Sequence, residues 1–255
     1  MNQMDKFYTI TENLPDISEE LELNKDNQYL EPAVGSGNLL KLIPGEKVIV
    51  YDLYPDSPDM IPTDFLTVDL EFTDYITLMN PPYGKQCSLA IKFFNHTAKF
   101  SKKIICIVPL TFNKISLQNK LDTNFSLIRT ENLPKNSFTQ GGKLYHVPTC
   151  VQIWERTIEK RYKVITRTTT NLFEFSTFDD YDFAVRRTGS KAGQIVDITK
   201  NVQGIYFIKG SEEIKDIISK VNFSDIINQT VGPKSLSKHE FIMRVEDYVR
   251  NYHTN

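Results

Sequence analysis

Tyr75-Ile76-Thr77-Leu78-Met79 runs directly into Asn80-Pro81-Pro82-Tyr83, and this junction decides the fold. The first five residues form an apolar run without helical period, which predicts a buried strand. Two prolines end it, because proline cannot donate to a ladder and holds the residue before it extended. A rigid turn at the C-terminal edge of the strand follows, where open α/β sheets place their ligands. There the Asn80 amide oxygen and the Pro81 carbonyl can address one amino group, with the Tyr83 ring beside them. The alternative is a proline-rich surface turn.

Upstream, Gln28-Tyr29-Leu30 leads into Glu31-Pro32-Ala33-Val34-Gly35-Ser36-Gly37-Asn38 and then Leu39-Leu40-Lys41-Leu42-Ile43. This predicts a strand, a glycine turn that lets backbone approach a ligand, and a helical stretch. Position 40 is Leu, so the third glycine of the dinucleotide fingerprint is missing, which argues against a pyrophosphate site. A second strand, Lys47 to Tyr51, ends in Asp52-Leu53. A carboxylate at that tip is placed to accept from ribose hydroxyls; a helix cap or solvated acid is the alternative. Next, Asp64 is placed to accept from an adenine amino group, with Phe65 packing on the ring. Singly each residue favours an ordinary structural role, but their order and spacing together point away from it.

The alternation continues with a helix over Ser88 to Phe100, a strand over Lys103 to Pro109 and a helix over Lys114 to Asp122. Late strands over Ser126 to Thr130 and Val147 to Trp154 are expected as an antiparallel pair at one edge, with Trp154 in the core. This is the pattern of a doubly wound α/β sheet. After residue 157 the pattern changes. An exposed strand or linker over Tyr162 to Thr168 is followed by strands at Asp182 to Arg187 and Gly204 to Lys209. Helices are expected over Glu212 to Lys220 and Lys238 to Tyr248, the latter after a Gly232-Pro233 break and a Ser237 cap. Two regions result, 1–157 and a small α+β appendage over 158–255. Arg186, Arg187 and Lys191 cluster on one hairpin that can bind phosphates or stand as a solvated charged turn.

Bulk properties fit a folded enzyme of the cell interior. The chain has 255 residues, 40% hydrophobic and 24% charged, with formal net charge -2. Overall charge does not advertise a polyanion partner, so any nucleic-acid surface must be local. Cys87, Cys106 and Cys150 form no C-x-x-C pair, and the absence of a signal peptide points to reduced thiols in the cytoplasm. The four histidines show no metal-ligand spacing. No apolar run approaches the roughly 20 residues of a membrane span.

The run Glu31-Pro32-x-x-Gly35-x-Gly37, Asp52, Asp64-Phe65 and Asn80-Pro81-Pro82-Tyr83 resembles the S-adenosylmethionine-dependent amino-methyltransferases. More narrowly it resembles the DNA adenine-N6 methyltransferases whose cofactor motifs precede the catalytic motif and whose recognition region is C-terminal. Phe7-Tyr8-Thr9 is similar to the extra N-terminal motif of that group, which contacts the methionine end of the cofactor. The resemblance covers about residues 5–157. It implies a Rossmann-like methyltransferase sheet that binds S-adenosylmethionine through Tyr8, Thr9, Glu31, Pro32, Ala33, Gly35, Gly37, Asp52, Leu53, Asp64, Phe65 and Asn80. It also implies catalysis by Asn80, Pro81, Pro82 and Tyr83 on adenine in DNA. Similar enzymes modify RNA bases or a protein glutamine at the same motif. A catalytically silent binding module is a third reading.

An exocyclic adenine amine is a poor nucleophile because its lone pair is delocalised. Two acceptors can hold both amino hydrogens and direct the lone pair at a methyl sulfonium without a strong base. Orientation of this kind supplies on the order of 7–11 kcal/mol in well-aligned systems, and the acceptors also stabilise the developing ammonium. A duplex base must be flipped to reach such a pocket, at a cost of a few kcal/mol. Stacking by Tyr83 and by a second aromatic on the opposite wall is therefore expected. Phe138, in the Gly-rich stretch that ends at Lys143, is the candidate for that wall; a core loop anchor is its alternative.

Overall fold

The computed structural model of the chain describes residues 6–23, 26–43, 47–71, 74–229 and 234–252. The expected Gly232-Pro233 break lies outside the described residues. The chain divides into two compact units, Met1–Val164 and Ile165–Asn255.

In the first unit the chain runs β1 (Tyr8–Thr9), α1 (Ser18–Leu21), β2 (Tyr29–Glu31), β3 (Val48–Val50) and β4 (Tyr75–Met79). It continues through α2 (Ser88–Thr97), β5 (Ser101–Pro109), α3 (Ile115–Gln118), β6 (Phe125–Asn132), β7 (Phe138–Gln140), β8 (Lys143–Tyr145) and β9 (Thr149–Arg156). Six of these strands form one sheet in the order β3-β2-β4-β5-β9-β6. The first four are parallel, and β9 is antiparallel to both β5 and β6. Every residue of β4 is buried, as are all but one of β5. That accounts for the continuous apolar run of β4 and of β5 from Ile104 onward, since a parallel sheet is covered on both faces. Trp154 is fully buried on β9 and meets the edge of Phe94 at a centroid distance of 5.3 Å.

The chain leaves β2 outward to β3 and returns to β4 on the other side of β2. This reversal puts a topological switch point between β2 and β4, and ligands bind beyond the C-terminal ends of such strands. Glu31 ends β2 and Asn80 follows β4, so both stand at that crevice.

Two expected helices are shorter than their sequence pattern. The segment after the glycine loop is a 3₁₀ turn over Asn38–Leu42, because so few residues before Pro44-Gly45 cannot repay helix nucleation. Lys114 to Asp122 holds only the four-residue α3, continued by tighter bonds from Lys120 N to Leu117 O and Leu121 N to Gln118 O. Side-chain partners end it: Asn119 bonds the Val164 backbone in both directions, and Asn95 bonds Lys120 O and Asp122 N.

The stretch from Phe138 to Tyr145 is a ribbon instead of an irregular loop. β1, β7 and β8 form a three-stranded sheet, with Thr9 opposite Phe138 and Gln140 opposite Lys143. Gly141 and Gly142 close a two-residue turn at φ 55° and 76°, positive values that both central residues of such a hairpin require.

The second unit is α+β. It contains β10 (Glu174–Ser176), β11 (Phe183–Arg186), β12 (Ile195–Val196) and β13 (Ile205–Lys209), paired antiparallel in the order β10-β13-β11-β12. Three helices follow, α4 (Glu212–Lys220), α5 (Ser224–Ile227) and α6 (Lys238–Tyr252). Ser237 and Glu240 make a reciprocal capping box before α6: Ser237 N donates to Glu240 Oε2 at 2.7 Å, and Glu240 N donates to Ser237 Oγ at 3.2 Å. Phe241 stacks on Phe223 at 5.3 Å in the core of this unit. Tyr162 to Thr168, expected as a strand or linker, takes no part in a ladder. No described helix is long and apolar enough to cross a membrane.

Candidate active site

The glycine loop is knitted to the neighbouring strand by backbone. Tyr51 N donates to Glu31 O and Val34 N to Tyr51 O, both at 3.0 Å. Gly35 N donates to Asp52 Oδ2, and Tyr54 N to Asp52 Oδ1, each at 2.7 Å. Asp52 therefore fixes the loop, and each carboxylate oxygen keeps a second lone pair for a ligand hydroxyl. Asp64 accepts from Leu66 N at 3.0 Å and caps the turn Phe65–Thr67. Phe65 departs from its expected role on a ligand ring. It is buried among Tyr51, Phe93 and His96, with centroids 5.7, 5.7 and 4.9 Å away, so its faces are taken by protein.

Glu31 is the least satisfied polar group in this region. It is 1% exposed, its Oε1 accepts from Ala33 N at 3.1 Å, and its Oε2 is buried without a partner. Burial, reinforced by the nearby Asp52 charge, pushes its carboxyl up to about 8. A carboxyl in that state gains a great deal from a cation placed on its free oxygen. The α-ammonium of S-adenosylmethionine is such a cation, so the residues present fit that cofactor.

The N-terminal segment lies across the same loop. The Tyr8 ring stands 3.5 Å from where a β-carbon on Gly35 would sit. Its hydroxyl is pushed up to about 12 by burial and by a hydrogen bond to Asp56, which also pairs with Lys6 at 2.8 Å.

Asn80 is held by its nitrogen. Nδ2 donates to the Phe7 carbonyl at 3.2 Å and to Thr9 Oγ1 at 3.1 Å. Oδ1 accepts from the Tyr83 hydroxyl at 3.1 Å. A carbonyl can only accept, so the Phe7 oxygen fixes which end of the amide is nitrogen and leaves Oδ1 as the acceptor end, with a lone pair to spare beside the Tyr83 hydroxyl. Pro81 is buried, whereas Asn80, Pro82 and Tyr83 are half-buried. Burial pushes the Tyr83 phenol well above its ordinary range, so it remains a neutral donor.

Phe138 also departs from expectation. It is 0% exposed and packs at the edge of Phe7, 6.5 Å away, in the core with Leu78 and Val151. The accessible aromatic of this ribbon is Tyr145, 45% exposed and 4.9 Å from the Phe7 ring. Sequence reading missed Tyr145 and also Asn38, whose Nδ2 donates to Thr9 O at 2.9 Å. Strand alternation carried across the Gly-Gly turn pairs Phe138 with Tyr145 and would have flagged it.

Glu31, Gly35, Asp52, Thr9, Asn80 and Tyr83 thus come together at the C-terminal edge of the parallel strands, and Lys143 lies exposed on the ribbon beyond. Leu53 is exposed beside Asp52. Arg186, Arg187 and Lys191 belong to the second unit. There Arg187 lies over the Tyr206 ring at 5.7 Å, while Arg186 Nε is buried without a partner. Among the described residues no cluster of His, Cys, Asp or Glu can hold a metal ion. Cys87, Cys106 and Cys150 are free and buried.

No family model and no curated protein matches the chain. Among solved structures it is similar to the 23S rRNA methyltransferase ErmE, at 17% identity and TM-score 0.42, over 59% of this chain and 72% of that one. It is also similar to a protein described as a candidate RNA methyltransferase from Pyrococcus horikoshii, at 16% identity and TM-score 0.42, over 56% and 80%. A candidate methyltransferase from Thermoplasma acidophilum follows at 13% identity and TM-score 0.33, over 56% and 73%. Likeness at this level carries no functional argument by itself.

Proposed function

We propose that the chain transfers a methyl group from S-adenosylmethionine to the N6 amino group of adenine in a nucleic acid. The observation that carries this reading is the Asn80 amide at the switch point, anchored through Nδ2 so that Oδ1 is its acceptor end, with one lone pair left beside the Tyr83 hydroxyl. The cofactor, when bound, supplies a methyl group on an electrophilic sulfonium. Glu31 Oε2 would hold its ammonium, Asp52 its ribose hydroxyls and Asp64 its adenine amino group. Asn80 Oδ1 and the Pro81 carbonyl accept the two amino hydrogens of the target base and so localise the nitrogen lone pair toward the methyl group. The surplus proton on the methylated nitrogen is acidic and leaves to water, so no strong base is needed. Tyr83 stacks on the target ring.

The acceptor is an adenine that is already unpaired, as RNA loops and single strands present it. Opening a duplex needs stacking on both sides and phosphate contacts to offset its cost. Phe138, the expected opposite wall, is buried, which leaves Tyr145 as the accessible aromatic of the ribbon, and Arg187 lies over Tyr206. These observations favour RNA over the duplex DNA that the motif order suggests, and RNA is what the first two structural neighbours' descriptions name. Residues 158–255 serve in this reading as a small substrate-recognition region.

Transfer of tritiated methyl to RNA, single-stranded DNA and duplex DNA, with nucleoside analysis, tests both parts. N6-methyladenine in RNA or single strands is expected. Label in duplex DNA alone would restore the DNA reading, and cofactor binding without label in any polymer would leave a binding module or a protein-amide methyltransferase.

A further inference from the structure

Thr9 is the residue where the two halves of the site meet. Its carbonyl accepts from Asn38 Nδ2 at 2.9 Å, its hydroxyl accepts from Asn80 Nδ2 at 3.1 Å, and it is 3% exposed. Asn38 follows the glycine loop and Asn80 closes β4, so this one buried residue ties the cofactor loop to the transfer site. Antiparallel pairing of Thr9 with Phe138 on β7 keeps it from shifting along the crevice.

A carboxamide has two ends of nearly equal shape and opposite hydrogen-bonding sense. Its surroundings alone decide which end meets the substrate. The Phe7 carbonyl takes one N–H of Asn80 and the Thr9 hydroxyl takes the other. With both filled, Oδ1 points away from β1, toward the Tyr83 hydroxyl. We infer that Thr9 is a positioning residue whose hydroxyl holds Asn80 with its oxygen toward the acceptor, and thereby selects a base bearing an amino group over one bearing an oxo group. The inference rests on the amino-transfer reading above. Without the hydroxyl, one half-buried amide N–H loses its acceptor, and only the Phe7 carbonyl and the Tyr83 hydroxyl still hold the carboxamide, so the turned orientation gains population. Its N–H then meets the N–H of the target amine, a pairing that cannot form.

The test uses the full chain with tritiated S-adenosylmethionine and poly(A) RNA, with a single-stranded adenine-bearing DNA oligonucleotide in parallel. Thr9→Val keeps the shape and removes the acceptor. Its kcat is expected to fall roughly ten- to hundredfold, with cofactor Kd and acceptor KM held within about threefold, and Thr9→Ser is expected to recover the lost rate. Thr9→Ala, which places no branched methyl group, is the second variant and is expected to show the same fall. Wild-type kcat in either variant, beside an inactive Asn80→Ala, overturns the positioning role. A serine variant as slow as the valine one overturns the role of the hydroxyl. Equal losses in rate and cofactor affinity make Thr9 a cofactor contact instead. Full activity in Asn80→Ala removes the amino-transfer reading itself.

Discussion

The Tyr8 ring lies against Gly35, with its Cε1 3.5 Å from the place a β-carbon on that glycine would occupy. Gly35 has φ +52° and donates its N–H to Asp52 at 2.7 Å, so the loop, the strand after it and the N-terminal segment close on one residue. A branched side chain there is strained by the backbone, and its β-carbon takes up the contact space against Tyr8. Gly35→Val is therefore expected to weaken cofactor binding at least tenfold, a difference of about 1.4 kcal/mol, as titration calorimetry with S-adenosylmethionine would show. Unchanged affinity would place the cofactor elsewhere.

Asn80→Ala separates binding from chemistry. It removes the acceptor oxygen and leaves Glu31, Asp52 and Asp64 in place. The expected loss in kcat is on the order of 10²–10³, the range seen when one preorganised hydrogen-bonding group is removed from an active site. Cofactor affinity is expected to stay near wild type. A parallel fall in affinity would argue that Asn80 is chiefly a cofactor ligand.

Glu31 gives a pH-dependent prediction of definite sign. Its carboxyl sits near 8 in the fold against an ordinary 4.5, with burial the main cause. Between those values the unfolded chain ionises while the folded one stays protonated, so this residue lowers stability as pH rises toward 8. At about 1.4 kcal/mol per pH interval the full cost is on the order of 5 kcal/mol. Glu31→Gln keeps the acceptor for Ala33 N and removes the titration. It is expected to raise the urea midpoint relative to wild type at pH 8 far more than at pH 5, while binding S-adenosylmethionine more weakly. Calorimetry at pH 6.5 in two buffers should show proton release on binding to the wild type and none to the variant. Equal pH dependence in both proteins would show that Glu31 is ionised in the free fold.

The parts of this architecture legible in sequence were those written in local apolar runs. β4 and β5 stand where continuous hydrophobic stretches end in proline, and α2 follows its amphipathic spacing. The crevice residues Glu31, Asp52 and Asn80 were legible because each closes such a run. What local pattern does not carry is contact across long separation. Asn80 and Thr9 are 71 residues apart in the chain, and their bond depends on β1 pairing with β7. Phe65 and Phe138 stand in the sequence as candidates for a ligand ring and a pocket wall because aromatic residues near a motif fit a binding role as well as a core role. Their fate was set by Phe93, His96 and Phe7, which converge on them only in the folded sheet.

The ribbon supplies the last prediction, a crossed pair of variants. Phe138 is fully buried, so Phe138→Ala should act through folding and cost about 3–5 kcal/mol, as large core truncations do. Tyr145 sits opposite it in the hairpin register, tilted against the Phe7 ring and nearly half exposed. Removing an aromatic that offers a face to an unpaired base costs about 1–3 kcal/mol per base. Tyr145→Ala is therefore expected to raise the KM for poly(A) RNA by roughly tenfold or more, with the urea midpoint little changed. The reverse outcome, in which Tyr145→Ala unfolds the chain and Phe138→Ala folds normally but loses RNA, would return Phe138 to the wall of the acceptor site.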